Sequence, residues 1–528
     1  MTLPHLRLRA QDGFTMIIAI GVMFVTALIL VAAFTVANGD VHNSRRSTIE
    51  KQAYYAALAG IQEYEVLLQQ EPNYWQNCKN VENEVPEGAS QSYVVKPVPA
   101  TGQSACSSEA PFTSMIESKG LLANTFRIRS TGYAGQKGSH AYGAEKSVIA
   151  TFGVSGFLQY VFYTNYETVD PALYPSSEKT LAEHCKEKKY SQWNGKYACH
   201  VINFKTGDEI EGPMHTNDAA SVEGSTIFGR KGHEPKDSIE INGGTYGPAS
   251  GCPSKGGAVY NTATGCYTKG PELTPPPTDT SLEFYVEAEN HLHGQTWLEL
   301  KGNEIGVKYF TYNAVTKKYT AASKTIKWPA NGLLYVDSGE GTCNESFNPQ
   351  SADTTSEEEN TRGCGNVYVN GVYEKSLTIA SFGDVIVNGQ IYPSSVSGKL
   401  AASGASATKP SGTAVLGLIG NRFVRVYHPC SGGTNGAGSF KDPWIYAAIL
   451  ATQNSWIVDN SECGSSEGKL NVFGAIGQDY RGIVLVGSSG YVKNYEYDDR
   501  LATDEPPYFL TPLKAGWKVI RQTAQGPG

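Results

Sequence analysis

An uninterrupted apolar run near the amino terminus constrains this chain more than any other feature. Residues 14–39 contain no charged side chain. The 24 residues FTMIIAIGVMFVTALILVAAFTVA within this segment would form a helix about 36 Å long, at ~1.5 Å per residue. About 20 such residues cross the hydrocarbon core of a bilayer. The run therefore predicts a transmembrane helix.

Two other interpretations of the run remain open. A cleaved secretory signal peptide has a shorter apolar region of about 7–15 residues and ends at a small-residue cleavage site, which is not clear here. A helix buried in a soluble protein carries a polar face, and no polar face interrupts this run. The membrane-spanning helix is the preferred prediction.

Composition sets limits on the rest of the chain. A length of 528 residues suggests two to four domains. Only 18% of the residues are charged, and 57 glycines and 31 tyrosines favour β-rich extracellular structure over a helical cytosolic enzyme. The formal net charge of −8 argues against a general nucleic-acid binder, so we expect no nucleic-acid partner.

The cysteines indicate the compartment. All ten follow the apolar run, and none belongs to a CxxC motif. An even number of cysteines fits an oxidising environment, whereas the basic residues on both sides of the run do not decide its orientation. We therefore expect the large C-terminal part to lie outside the cytoplasm.

The residues at the start of the run resemble the cleavage site of type IV prepilins. The segment 11–16 reads QDGFTM and joins a short basic leader directly to the apolar helix. In that family a membrane peptidase cuts after the glycine and the new terminal aromatic residue is methylated. The resemblance implies a cut between Gly13 and Phe14, after which the helix holds the subunit in the membrane until it is extracted into a filament.

One position departs from the major pilins. They carry a glutamate at the fifth mature residue, which pairs with the terminal amine of a neighbouring subunit, and here that position is Ile18. The K-type pseudopilin of type II secretion shows the same departure; it is large and sits at the filament tip. More specifically, the sequence resembles large actinobacterial proteins with a PilX-type N-terminal region.

The helical pattern continues beyond the apolar run. Ser47-Thr48-Ile49-Glu50 has the form of a capping box, which predicts a helix start. An apolar stripe follows at three- and four-residue spacing and ends near Pro72. The segment 52–61, QAYYAALAGI, resembles the extended helix of PilX-like proteins, where the stripe packs on a globular sheet. A coiled-coil or stalk helix is the alternative.

A short pattern recurs in the C-terminal part, in which apolar residues alternate and an Asn-Gly pair follows. It appears at 239–243, 367–371 and 385–389. Short strands with Asn-Gly corners at such spacing favour the coils of a parallel β-solenoid. Hairpins with Asn-Gly turns in a β-sandwich are the alternative, because strict periodicity is absent.

Neighbouring cysteines are the expected disulfide partners, because a solenoid makes its contacts between neighbouring coils, although sequence alone does not fix connectivity. This hypothesis gives the pairs Cys78–Cys106, Cys185–Cys199, Cys252–Cys266, Cys343–Cys364 and Cys430–Cys463.

The predicted fold class is mainly β with a long N-terminal α-helix. The expected organisation is a prepilin leader (1–13), a transmembrane and extended pilin helix (14–72), a small pilin-like sheet (73–150), a β-rich start of the solenoid (151–273), a Pro-rich linker with an inserted sheet subdomain (274–345), and a β-solenoid-like C-terminal region (346–528).

Catalytic motifs are not evident. The sequence lacks a P-loop, a GxSxG and an HExxH motif. His291 and His293 would share one face of a strand, but the sequence shows no further ligand nearby, so we predict no metal site and no cofactor. Asp498, Asp499 and Arg500 are interpreted as a structural ion-pair cluster, with an acid site as the alternative.

These patterns together predict a minor type IV pilin or pseudopilin, at the tip or in a priming role, that presents a large extracellular head, with adhesion as one use. It would not be an enzyme. Expected partners are other pilins, the prepilin peptidase, the pilus assembly platform, the membrane and an unknown surface ligand. A membrane-anchored extracellular carbohydrate-active enzyme on a β-helix is the alternative, supported by fold analogy alone.

Overall fold

A computed structural model of the chain describes residues 14–71, 74–84, 91–109, 114–116, 125–135, 143–154, 156–189, 199–234, 236–242, 257–262, 266, 272–347, 360–402, 404–502, 504–513 and 517–525. The protein is mainly β with one long amino-terminal helix, which confirms the predicted class at that level. It divides into two compact units, residues 1–153 with 517–528, and residues 154–516.

The first unit combines the long helix with a five-stranded sheet. Helix α1 spans Phe14–Gln70 and is followed by a helical turn at Tyr74–Asn77; the strands in sheet order are β1 (Val81–Glu84), β2 (Gln91–Val98), β3 (Thr125–Gly135), β4 (Gly143–Val154) and the C-terminal strand (Trp517–Gln525). Strands β1 to β4 are antiparallel. Residues 517–525 were expected in the C-terminal β region, but the structure places them in this sheet. Trp517 packs against Phe126 there, with ring centroids 4.7 Å apart.

The second half of α1 packs on the sheet along the predicted apolar stripe. The buried helix residues among those described are Ala53, Ala56, Ala57, Gly60, Ile61, Tyr64 and Leu68. Gly132 of β3 permits the close approach, because a Cβ atom at that position would overlap the backbone of Ala53 and Ala57. The contact is therefore made between backbones as well as between side chains.

α1 continues without a break through the capping-box pattern, so the predicted helix start there is wrong. The Thr48 hydroxyl donates to the Ser44 carbonyl oxygen at 2.9 Å, and Glu50 pairs with Arg46 at 3.2 Å. Since the preceding turn is already helical, the amides here bond within the helix and need no cap. The helix ends at Gln70, close to the end predicted from the position of Pro72.

The second unit consists mainly of strands, most of them short. They are β5 (Phe162–Val169), β6 (Asn203–Lys205), β7 (Glu209–Glu211), β8 (Met214–Thr216), β9 (Ser221–Glu223), β10 (Ile227–Phe228), β11 (Ile239–Ile241), β12 (Val259–Tyr260), β13 (His291–His293), β14 (Thr296–Gly302), β15 (Glu304–Asn313), β16 (Lys318–Lys327), β17 (Leu333–Asp337), β18 (Val367–Tyr373), β19 (Leu377–Ser381), β20 (Val385–Pro393), β21 (Leu416–Gly420), β22 (Val424–Val426), β23 (Cys430–Ser431), β24 (Thr434–Asn435), β25 (Trp444–Ala451), β26 (Trp456–Val458), β27 (Ser466–Arg481), β28 (Leu485–Val486) and β29 (Ser489–Tyr497).

Helical segments in this unit are short. They are α2 (Lys179–Cys185) and the 3₁₀ turns Phe157–Gln159, Pro171–Leu173, Ser176–Glu178, Thr280–Phe284, Ala288–Asn290, Ser394–Val396 and Asp499–Ala502.

Three parallel ladders organise these strands. The first runs β13-β17-β19-β21-β25-β27-β5-β8-β11. The second runs β14-β18-β20-β22-β26, and the third β25-β27-β29-β7-β10-β12. Antiparallel pairing of β14, β15 and β16 adds a hairpin at the start of the second ladder. Apolar side chains such as Val369, Val387 and Ile449 fill the interior.

Two of the repeated Asn-Gly segments pair directly. β18 and β20 are parallel, with Val367 opposite Val385. The Asn370 amide donates to the Asn388 side-chain oxygen at 2.9 Å. The sequence repeat therefore corresponds to equivalent positions on successive strands of one ladder.

The Pro-rich segment runs along the first ladder. The Leu273 carbonyl oxygen accepts from the hydroxyl of Tyr163 in β5 at 2.6 Å, and the Pro277 carbonyl oxygen accepts from Gln453 after β25 at 2.8 Å. The Tyr335 hydroxyl of β17 then donates to Asp279 at 3.1 Å. This extended segment returns the chain from the β11 end of the ladder to the β13 end.

Disulfides occur in both units. Those joining described cysteines are Cys78–Cys106 in the first unit and Cys185–Cys199, Cys343–Cys364 and Cys430–Cys463 in the second. Each of these four disulfides joins a pair of cysteines that the neighbour-pairing hypothesis predicts. The fifth predicted pair includes Cys252, which lies outside the described residues.

Candidate functional site

The amino-terminal part of α1 is an exposed apolar surface. Residues Met16–Thr35 have a mean hydropathy of 2.9, and none of them is buried. The hydroxyls of Thr26 and Thr35 donate to the carbonyl oxygens of Val22 and Ala32 at 2.8 Å, so both are satisfied within the helix. By length and composition this segment is able to cross a membrane once.

The predicted processing residues lie at the start of this helix. Gly13 lies outside the described residues, and Phe14 is the first residue of α1. Ile18, the fifth residue after the predicted cut, is 50% exposed on the same apolar segment. Cleavage between Gly13 and Phe14 stays a prediction.

Buried charges in the second unit form ion pairs across the ladders. The Arg425 guanidinium on β22 donates to Asp384 before β20 at 2.9 Å and to Asp459 after β26 at 2.8 Å. Arg481 donates to Glu167 at 2.5 Å, and both side chains are buried. Buried charges persist only when they are paired, so these groups join neighbouring strands.

Two further carboxyl groups bear on the enzymatic alternative, because a raised pKa is what a general acid requires. Burial raises the pKa of Asp170 to about 6 and that of Asp479 to about 7. Asp170 accepts from the Asn454 amide at 2.9 Å and is almost fully buried, which prevents contact with a substrate. Asp479 accepts from the Asn165 amide at 2.8 Å. Both carboxyls therefore have structural hydrogen-bond partners.

The acidic cluster near the end of β29 consists of ion pairs. Both carboxylate oxygens of Asp498 accept from Arg500, the shortest contact being 2.6 Å. Asp499 accepts from Arg230 at 2.7 Å, and Arg230 also pairs with Asp237 at 2.6 Å. These contacts are those of a structural ion-pair cluster.

Three potential metal ligands converge where the first ladder begins. His291 and His293 of β13 and Asp337 of β17 each offer one ligand atom, and these atoms lie within 4.8 Å of one another. The His291 Nε2 and Asp337 Oδ2 atoms are 3.7 Å apart, and the two imidazole centroids are 4.5 Å apart. The residue pattern indicated the two histidines but not Asp337.

An open groove of about 840 Å³ follows the hairpin of the second unit. Trp297 at its wall stacks on Tyr368 with ring centroids 4.6 Å apart, and the Lys308 ammonium lies 5.0 Å from the Trp297 ring centre. The Asn370 and Asn388 side chains also line the groove. The groove therefore combines an aromatic side chain with charged and amide side chains.

Comparison of the chain with protein-family models, characterised proteins and solved structures gives no match. The functional conclusion therefore rests on the residues and the geometry alone.

Proposed function

We propose that this chain is a minor type IV pilin or pseudopilin. The observation that carries the proposal is the single 57-residue helix, whose first part is exposed and apolar and whose second part packs on a small sheet. At ~1.5 Å per residue the helix is about 86 Å long, so one rigid element links a membrane-length segment to a folded domain. The segment 11–16 at its start adds the prepilin-like junction.

We further propose a position at the filament tip. A subunit inside the shaft needs its terminal amine neutralised within the apolar bundle, and Ile18 supplies no carboxylate for this. A tip subunit has no neighbour above it whose amine such a carboxylate would pair with. The second unit spans residues 154–516 and exceeds an ordinary domain, so one terminal copy is easier to accommodate than many along a packed shaft.

The second unit is the proposed head, and we infer that its parallel ladders are coils of a β-solenoid. The pairing of β18 with β20 and the contact between Asn370 and Asn388 support equivalent positions on successive coils. The head would present a binding surface and not catalyse a reaction; buried acids such as Glu167, Asp384 and Asp459 serve ion pairs. Its partners would be other pilins, the assembly platform and a surface ligand.

Processing at the predicted junction tests the proposal. Native filaments are isolated and the N-terminal peptide of this chain is measured by mass spectrometry. We expect a mature chain beginning with methylated Phe14. A Gly13→Val variant should keep its leader and stay in the membrane fraction, whereas the Gln11→Ala control should be processed normally. A filament-bound chain that retains Met1, or normal processing of Gly13→Val, would contradict the proposal.

Position in the filament requires a separate measurement. Immunogold labelling of the head on intact filaments should mark one end. Labelling along the whole length would refute the tip assignment while leaving the pilin assignment intact.

A further inference from the structure

We propose that His291, His293 and Asp337 form a binding site for a divalent transition-metal ion of the zinc class. Two imidazole nitrogens and one carboxylate oxygen suit this class of ion, and three protein ligands leave a coordination position open for water or a further ligand. The inference is independent of the pilin proposal, because it rests on the second unit alone.

The strand register explains why these three side chains meet. β13 and β17 are parallel, with His291 opposite Tyr335 and His293 opposite Asp337. Alternate residues of a strand point to the same face, so both histidines and Asp337 emerge on one side, while Leu292 between them points into the core. The ladder therefore fixes the spacing of the ligands before any ion binds.

Contacts behind the ligands orient them for coordination. The Ser338 backbone amide donates to Asp337 Oδ1 at 2.6 Å, which leaves Oδ2 directed at His291. The Tyr335 ring packs edge-on against the His291 ring with centroids 5.6 Å apart. Hydrogen bonds and packing of this kind orient the ligands in established metal sites.

The His291 Nε2 atom is the second, independent observation. It is buried and has no hydrogen-bond partner within the described part of the chain. Leaving a buried polar atom unpaired is costly, and a metal ion would satisfy the nitrogen lone pair. The imidazole then acts as a ligand and needs no protein donor.

The distances agree with this assignment. Ligands around a tetrahedral zinc ion at metal–nitrogen distances of about 2.0–2.1 Å are about 3.3 Å apart. The separation of 3.7 Å between His291 Nε2 and Asp337 Oδ2 is close to that value. The His293 ligand atom lies within 4.8 Å of the other two, and the exposure of His293 places the open coordination position at the surface.

The experiment measures Zn²⁺ binding by the detergent-solubilised full chain after removal of bound metal by dialysis against a chelator. Competition with a chromophoric chelator gives the affinity, and Co²⁺ absorption reports the coordination geometry. His293→Asn and Asp337→Asn are the test variants. In Asp337→Asn the side-chain amide oxygen can still accept from the Ser338 backbone amide, so that the local contact survives. His200→Gln is the matched control, because His200 is another exposed histidine paired with a carboxylate, Glu178, at 2.7 Å.

We expect the wild type and the His200→Gln variant to bind Zn²⁺ equally, and each test variant to bind it about 100-fold more weakly or worse. Zn²⁺ should raise the thermal unfolding midpoint of the first two proteins and leave that of the test variants unchanged, which also shows that the variants are folded. Equal binding by all four proteins, or no binding by the wild type, would overturn the proposal.

Discussion

A charge placed at the centre of the apolar segment should prevent stable membrane insertion. Val25 is nine residues from Met16 and ten from Thr35, so it lies about 14–15 Å from either end at ~1.5 Å per residue. An aspartate at this position is too short to reach the interface. The Val25→Asp variant should therefore experience the full cost of a charge in hydrocarbon.

The expected free-energy cost depends on how deep in the hydrocarbon core the charge lies. Aspartate at the centre of a spanning helix costs about 2.5–3.5 kcal/mol, which corresponds to a roughly 60- to 300-fold change in the insertion equilibrium. Ile18 lies two residues inside the segment, about 3 Å from its end, so Ile18→Asp should cost much less. Val41 is also exposed on α1 but lies about 9 Å beyond Thr35, which makes Val41→Asp a control for a charge on the same helix outside the span.

The assay is the ratio of membrane-inserted chain to chain released by alkaline extraction, measured for all three variants and the wild type in the same membranes. The expected order of insertion is wild type and Val41→Asp highest, Ile18→Asp next and Val25→Asp lowest. Equal extraction of Val25→Asp and Val41→Asp would refute the transmembrane interpretation of the segment.

Three further substitutions test the fold, each read by denaturant unfolding of the solubilised chain. Gly132→Ala should destabilise the first unit by about 1–3 kcal/mol, because the new methyl group overlaps the backbone of Ala53; unchanged unfolding would exclude the close helix–sheet contact. Arg425→Met should cost about 3–5 kcal/mol by removing the guanidinium that pairs with the buried carboxylates of Asp384 and Asp459, and an unchanged free energy of unfolding would show that these two ion pairs contribute little. Burial raises the Asp170 pKa from 3.8 to about 6, so the folded state binds this proton more tightly, and Asp170 alone should contribute about 3 kcal/mol to the stability lost as the pH rises from about 4 to 7. The loss in Asp170→Asn should be smaller than that of the wild type by this amount, and identical pH profiles would contradict the assignment.

Local patterns in the sequence predicted the elements that depend on local interactions. The apolar stripe identified the buried face of α1, and the Asn-Gly segments identified equivalent positions such as Asn370 and Asn388. The capping-box prediction failed because a side-chain pattern cannot show whether the preceding turn is already helical. At Thr48 the preceding turn is helical, and the hydroxyl bonds to Ser44.

The features that the sequence did not reveal depend on pairing between distant segments. Asp337 reaches the two histidines only because β17 pairs with β13 beyond an intervening hairpin. The C-terminal strand joins the first sheet through apolar contacts such as that of Trp517 with Phe126. The residue pattern of this strand does not predict which strand it pairs with. Strand register is set by the tertiary fold, so residue patterns alone do not predict which side chains of distant strands come into contact.

The connectivity of the two units has an evolutionary consequence. The second unit is an insertion, because the chain leaves the first sheet after β4 and returns to it in the neighbouring C-terminal strand. The two points of attachment lie on neighbouring strands of one sheet, so another domain whose ends lie close together could be inserted at the same place. Such a scaffold is able to keep its helix and sheet while the inserted unit is replaced by another. Related chains built on this plan should then vary most between β4 and the last strand.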